Sequence, residues 1–164
     1  SIFAFFRKDR ARYKLIDIVL LLFLSLVLMF ASYVILSDKL INHHQISEGF
    51  VLMYSHIAIV VSILLSTVSL LYLQIKNVNK SFLFFLIIGS LGLYYFSLTI
   101  KQIYNKNTCK FAIRDFLTLI PIFSLGAVYL WLVISSELGI AICLLIWNLV
   151  FFLDFLMKSK NSLK

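Results

Sequence analysis

The sequence predicts an all-α integral membrane protein, a bundle of five apolar helices in a single transmembrane domain over residues 1–164. Of these residues 62% are hydrophobic and only 13% are charged, whereas soluble proteins are about 45–50% apolar and about 25% charged. A soluble domain of this size has too little interior to bury so many apolar side chains. The mean hydropathy of +1.03 therefore indicates that lipid is part of the solvent.

The second observation is the length of the apolar runs, each close to the roughly 20 residues that a helix needs to cross a bilayer. The runs are continuous rather than alternating, which favours helices over a β-barrel. Helices are also required because unpaired backbone groups are very costly in lipid. The predicted segments are 15–36, 49–75, 82–100, 116–134 and 140–157.

Each segment has a distinguishing feature. The first is interrupted only by Asp17 near its start, and it is too long for the apolar region of a cleaved signal peptide. The second is long enough to tilt in the bilayer. The fourth contains the only proline, Pro121. The fifth follows a tight polar connection at 135–139, so we expect the last two segments to form an antiparallel hairpin.

Charge and hydropathy disagree about the third segment, 82–100. Five Lys and Arg residues precede the first segment, and three follow the last. The four connections between segments contain one, two, four and no such residues, in chain order. With five crossings and a cytoplasmic N-terminus, seven lie inside and eight outside, which is no bias. If the third segment is instead re-entrant or covered by a partner, fourteen lie inside. Hydropathy is the stronger predictor of insertion, so we favour five crossings and a cytoplasmic N-terminus.

The net charge of +8 does not indicate nucleic-acid binding, because the basic residues lie between or outside the apolar segments. There they set topology and attract anionic lipid headgroups. The cluster predicted to have both roles consists of Arg7, Lys8, Arg10, Arg12 and Lys14.

Small and polar residues inside the segments predict helix packing. Ser55, Ser62, Ser66 and Ser69 recur at spacings of seven, four and three, which puts them on one helical face. Small hydroxylated residues let helices approach closely and form hydrogen bonds across the contact. Lining of a pore is the alternative. Gly89 and Gly92 suit the same purpose, and Asn148, deep in the fifth segment, needs a hydrogen-bond partner.

Metal or haem binding would depend on His43, His44 and His56. Zinc sites need three or four ligands, and only His56 lies within an apolar segment. The sequence therefore predicts no metal and no cofactor. It also contains no GxSxG elbow or other nucleophile motif, and so no catalytic residue is predicted.

Taken together, these patterns predict a non-catalytic membrane subunit that packs against other chains in a larger complex. Its expected partners are membrane lipids and other membrane protein subunits, and not nucleic acid. A small-molecule or ion transporter or channel component is the alternative, which requires the serine stripe to face a cavity together with Asn148. A membrane enzyme or haem protein is less favoured, because His43, His44, Glu48 and His56 would have to converge. The expected location is a bacterial cytoplasmic membrane, with an organellar inner membrane as the alternative.

Overall fold

The computed structural model describes the backbone of residues 2–37, 49–73, 75, 77–101 and 113–161, and their side chains except in 2–15, 113–118 and 158–161. The described residues form helices and no strand, which confirms the all-α prediction. The helices are α1 (Ile2–Ile35), α2 (Phe50–Tyr72), α3 (Lys80–Ile100), α4 (Ile113–Val133) and α5 (Glu137–Asn161). Each contains most of one predicted segment, and α1 begins well before the first of them.

Local side-chain caps explain where α3 and α5 begin. The side-chain oxygen of Asn79 accepts hydrogen bonds from the backbone N–H groups of Ser81 (2.9 Å) and Phe82 (3.4 Å). The hydroxyl of Ser136 accepts one from the backbone N–H of Gly139, at 3.1 Å. Such caps satisfy backbone donors that have no partner in the first turn. They allow α2 to turn sharply into α3, and α4 into α5.

The third helix is a continuous rod that joins the two ends of the bundle. Its 21 residues extend about 31 Å at about 1.5 Å per residue. At its start, Lys80 donates to the hydroxyl of Ser135 in the α4–α5 turn, at 2.8 Å. Immediately after its end, Lys101 donates to the hydroxyl of Ser37, just past α1, at 2.7 Å. A re-entrant segment returns to the side from which it entered, so a continuous helix between the two ends of the bundle favours a third segment that spans.

The same contacts give the direction of the other helices. The ends of α1 and α3 lie together, and so do the starts of α3 and α5, so these three helices run parallel. Tyr33, near the end of α1, contacts His56, near the start of α2, so α2 runs the other way. The short turn from α4 to α5 reverses the chain once more. Successive helices therefore alternate in direction.

Four helical stretches are long and apolar enough to cross a membrane, which is consistent with an integral membrane protein. In α4 the described apolar stretch is shorter, Leu119–Val133. The four are Ile16–Ile35, Phe50–Tyr72, Lys80–Ile100 and Glu137–Met157. Large apolar side chains cover much of their outer surface, as expected where lipid rather than water surrounds the helices.

The helices pack unequally. The most extensive contacts join α2 with α3 and α1 with α5, and α4 contacts mainly α5. Fully buried side chains in the centre include Tyr94 of α3 and Phe151 and Phe155 of α5, whereas only Leu119 and Leu130 are buried in the described part of α4. The fourth helix is therefore the least integrated element of the bundle.

The alternating directions predict the side on which Cys109 is labelled. The chain from α3 to α4 leaves the bundle at the end opposite the N-terminal end of α1, although Cys109 itself lies outside the described residues. We expect a membrane-impermeant maleimide to modify Cys109 only from the side opposite an N-terminal tag. A Cys143→Ser variant, which removes the buried thiol, is the control. Labelling from the same side as the tag would contradict the five-crossing arrangement.

Candidate functional site

A buried polar seam joins α1, α3 and α5 at the centre of the bundle. Asn148 is only 2% exposed. Its side-chain amide donates to the hydroxyl of Ser25 at 2.7 Å, and its side-chain oxygen accepts a hydrogen bond from the hydroxyl of Tyr95. The Tyr95 ring stacks on Phe151, with centroids 3.7 Å apart. The amide thus has the partners that a buried polar group in a membrane requires.

The predicted serine stripe lies on the buried face of α2, against α3. Ser55, Ser62 and Ser69 each donate to a backbone carbonyl three or four residues earlier in their own helix, at 2.7 to 2.8 Å. Ser66 instead donates to the hydroxyl of Ser90 in α3, at 3.1 Å. One hydroxyl of the stripe therefore crosses between helices, and the other three use only their small size at the contact.

A small cavity brings part of the serine stripe together with Asn148. Its polar lining consists of Ser25, Ser66, Ser69, Ser90 and Asn148. The volume open to the centre of a water molecule is about 10 Å³, which is close to the minimum that one water needs. Ser66, Ser69 and Asn148 therefore line one cavity, which the transporter alternative requires, but this cavity has room for only one water.

The glycines of α3 and α4 differ in what surrounds them. A Cβ at Gly89 would meet no atom within 4 Å, and one at Gly92 would lie 3.6 Å from the ring of Phe123. At Gly126 a Cβ would lie only 2.5 Å from Trp147. The close approach of α4 and α5 therefore depends on Gly126.

An apolar groove lies between α4 and α5 beside this contact. It has a volume of about 210 Å³ and includes Leu125 and Tyr129 of α4 and Ile146, Trp147 and Val150 of α5. Trp147 is 4% exposed, and its indole N–H has no acceptor among the described residues. A buried donor without a partner is uncommon in native structures and requires an explanation.

A cluster of titratable groups, here named the Lys101 cluster, lies where α1, α2 and α3 meet. It consists of Tyr33, Ser37, His56 and Lys101. The hydroxyl of Tyr33 lies 2.6 Å from Nδ1 of His56. The Lys101 ammonium lies 4.5 Å from the centre of the Tyr33 ring and donates to Ser37. A cation and an imidazole therefore both contact Tyr33.

Lys101 is the most unusual member of the cluster. Its side chain is 2% exposed, and it has no carboxylate partner among the described residues. A buried ammonium without a counter-ion is energetically unfavourable, so burial disfavours the charged form. Burial lowers the pKa of Lys101 from 10.5 to about 8.

This lowered pKa predicts a pH-dependent contribution to stability. Between about pH 8 and 10.5 the unfolded chain binds a proton at Lys101 that the folded chain does not, so stability rises with pH across this window and levels off above it. Below pH 8 the cost of the buried charge is fully present. We therefore expect Lys101→Met to stabilise the protein at pH 7 more than at pH 10. Unfolding midpoints of both proteins at the two pH values test this, and a pH-independent difference would contradict it.

The sequence contains a signal for the burial of Lys101 that its charge obscures. Lys101 follows Tyr94 by seven residues and Leu98 by three, which places it on the buried face of α3. By charge alone, Lys101 is instead predicted to be a cation of the connection after the third segment. Of the histidines, only His56 lies among the described residues, and it contacts Tyr33. His43, His44 and Glu48 lie outside them, as do the side chains of the predicted basic cluster, Arg7, Lys8, Arg10, Arg12 and Lys14.

Within the described ranges, no group of three or more His, Cys, Asp or Glu side chains is arranged to hold a metal ion. Comparison of the chain with protein-family models, curated proteins and solved structures finds no match. The polar seam, the α4–α5 groove and the Lys101 cluster are therefore the candidate functional sites of the described residues.

Proposed function

We propose that this chain is a non-catalytic integral membrane subunit that packs against a transmembrane helix of another protein along the α4–α5 groove. The observation that carries the proposal is the buried indole N–H of Trp147, which has no acceptor among the described residues and whose ring lines the groove. A polar side chain or backbone carbonyl of a partner helix would supply the acceptor.

The depth of Trp147 favours a protein partner over lipid. Trp147 is the eleventh residue of the 21-residue stretch Glu137–Met157, close to the middle of the bilayer. Acyl chains offer no hydrogen-bond acceptor at this depth, because the oxygen atoms of lipids lie in the headgroup region. Transmembrane helices commonly carry Ser, Thr or Asn in their middle.

The weak packing of α4 also supports the proposal. The side chains of Leu125 and Leu132 are 71% and 73% exposed, and α4 has few contacts beyond α5. By contrast, Asn148 of the same helix α5 bonds to Ser25 and Tyr95, and Ser66 of α2 bonds to Ser90 of α3. The unsatisfied donor and the open groove occur together on the α4 side.

We further propose a bacterial cytoplasmic membrane as the location, with the N-terminus in the cytoplasm. The five basic residues before the first span support this orientation, since the first helix often dominates topology. The alternating helices place Lys80 at the N-terminal end of the bundle and Lys101 at the other end. In the five-crossing arrangement, two of the other ten basic residues lie on the side of the N-terminus and eight on the opposite side, and a partner subunit with acidic loops would balance these eight.

Site-specific photocrosslinking tests the docking surface. A photoreactive amino acid at Leu125, in the groove, is expected to crosslink in native membranes to one defined transmembrane protein. The same probe at Leu64, which is 59% exposed on α2, is the matched control and is expected to crosslink only lipid. Crosslinks to a second copy of this chain, equal protein crosslinks at both positions, or lipid alone at Leu125 would contradict the proposal.

A companion variant tests the indole donor itself. Trp147→Phe keeps an aromatic ring but removes the N–H, and it is expected to weaken the crosslink at Leu125 about three- to tenfold, as the loss of one hydrogen bond would. Trp131→Phe is the control, because Trp131 is exposed, its ring contacts Phe84, and it does not line the groove. Equal effects of the two variants would show that the indole N–H is not involved.

The shared cavity supports a second candidate function, a component of an ion or small-molecule transporter. The supporting observation is that Ser66, Ser69 and Asn148 line the same space. This function requires the cavity to widen, because its present volume suits one water. Proton or sodium flux into liposomes containing the protein tests it. Flux that Ser66→Leu abolishes would favour transport, and flux indistinguishable from that of empty liposomes would exclude it.

A further inference from the structure

We propose that the Lys101 cluster binds a phosphate group, supplied by an anionic lipid headgroup or by free phosphate. The inference is independent of the proposed docking at α4 and α5. It rests on a buried cation without a carboxylate partner, a neighbouring imidazole donor and the position of both at one end of the membrane-spanning helices.

Lys101 has more hydrogen-bond donors than its neutral partner Ser37 uses. An ammonium has three N–H donors. One of them bonds to the neutral hydroxyl of Ser37, and the face of the Tyr33 ring lies beside the group at 4.5 Å. The ammonium has no anionic partner among the described residues. An anionic oxygen would form a stronger, charge-assisted bond than a neutral hydroxyl does.

His56 contacts the same tyrosine and supplies a second donor. When the tyrosine hydroxyl donates to Nδ1, at 2.6 Å, the proton of the neutral imidazole is on Nε2. This Nε2–H has no acceptor among the described residues. Tyr33 and His56 are only half-buried, so an oxygen-rich ligand has access to this edge of the cluster.

The position of Lys101 matches the depth of phosphate groups in a bilayer. Lys101 is the first residue after the stretch Lys80–Ile100, which is long enough to cross the hydrocarbon. The ammonium itself is buried beside Ser37 and Tyr33, so a phosphate oxygen reaches it past the half-buried edge formed by Tyr33 and His56. A lipid phosphate and a phosphate ion at the membrane surface both offer several acceptor oxygens.

Lys80 provides a matched control for Lys101. The two lysines flank the same helix, and each donates to a serine hydroxyl, Ser135 for Lys80 and Ser37 for Lys101. Lys80 is exposed, and only Lys101 lies over an aromatic ring. A general attraction between lysine and anions would involve both residues, whereas a specific site would involve Lys101 alone.

The experiment measures retention of phosphatidylglycerol by the full chain, extracted from mixed phosphatidylglycerol and phosphatidylcholine bilayers, by native mass spectrometry. Lys101→Met is expected to lower retention about tenfold or more, as the loss of a charge-assisted hydrogen bond would. Lys80→Met is expected to change it less than about twofold, as for an exposed surface charge. Equal retention by Lys101→Met and the native chain would overturn the proposal, as would equal losses in the two variants.

A second variant and a second probe complete the test. His56→Phe keeps an aromatic ring, removes the second donor, and is expected to lower retention about threefold, as for a neutral hydrogen bond. Inorganic phosphate is then titrated into the native chain and into Lys101→Met in neutral detergent, and the heat of binding is measured. Binding that the native chain shows and Lys101→Met loses shows that free phosphate is sufficient, and retention of the lipid without such binding assigns the site to headgroups. Neither retention nor phosphate binding would refute the proposal.

Discussion

Replacing Gly126 with alanine is expected to lower the free energy of unfolding by about 1–3 kcal/mol, the usual cost of overpacking. The added Cβ would lie 2.5 Å from Cε2 and 2.6 Å from Cδ2 of the Trp147 ring. Both are ring atoms, so they cannot move independently of the indole. Phe123 contacts the same ring at a centroid distance of 5.2 Å and restricts its movement. The variant must therefore separate α4 from α5 or displace the indole.

Gly89→Ala is the matched control for Gly126→Ala. A Cβ at Gly89 meets no atom within 4 Å, and alanine is favoured over glycine in a helix by up to about 1 kcal/mol. We expect this variant to be as stable as the native chain or slightly more stable. Denaturant-induced unfolding in mild detergent, followed by helix content, measures both variants. Equal destabilisation of the two would show that the contact between Gly126 and Trp147 does not hold α4 in place.

Asn148→Leu is expected to have the second large effect. It should lower the free energy of unfolding by about 1–3 kcal/mol, because it leaves buried polar groups without partners. The hydroxyl of Tyr95 loses its acceptor, and the hydroxyl of Ser25 loses its donor. Leucine has the same number and branching of side-chain heavy atoms as asparagine, so it leaves no cavity that would add to the loss of free energy. The same unfolding measurement tests this prediction.

Ser62→Ala is the control for Asn148→Leu. Ser62 is equally buried, but its hydroxyl donates only to the backbone of Ile59 in its own helix, at 2.7 Å. The backbone carbonyl of Ile59 remains part of the helix when the serine hydroxyl is removed. We therefore expect the free energy of unfolding to change by less than about 0.5 kcal/mol. A loss at Ser62 as large as that at Asn148 would indicate that removing any buried polar atom has the same effect.

A double-mutant cycle separates the bond between Tyr95 and Asn148 from the rest of the seam. Tyr95→Phe removes the hydroxyl and keeps the ring that stacks on Phe151. In the double variant Tyr95→Phe/Asn148→Leu both partners are absent. Its loss in free energy of unfolding should be smaller than the sum of the losses of the two single variants by about 0.6–1.7 kcal/mol, as in other membrane bundles. Strictly additive losses would mean that the two groups do not interact.

The number, helical nature and approximate bounds of the five elements follow from the sequence. Hydropathy is summed over neighbouring residues, so it needs no knowledge of the tertiary arrangement. The seven-four-three spacing of the serines likewise places them on one face of α2, and that face is buried. The helix α1 is longer than the predicted first segment, because its basic start is helical but is not apolar enough to belong to a membrane span.

The partners of the polar residues depend on the tertiary structure. Lys80 and Lys101 are the same residue type at the two ends of one helix, yet the first is exposed and the second is buried over Tyr33. Asn148 was recognised as a residue that needs a partner, but Ser25 and Tyr95 lie 123 and 53 residues away in the chain.

The sequence by itself thus determined that this protein is a set of membrane-crossing helices, and roughly where each begins and ends. The tertiary structure decided that the third helix joins opposite ends of the bundle. It also decided which polar groups have hydrogen-bond partners, as Asn148 does, and which lack a partner among the described residues, as Trp147 does. The physical reason is that insertion into lipid depends on the composition of each segment. Contacts between segments depend instead on the rotation and order of the helices, which composition does not specify.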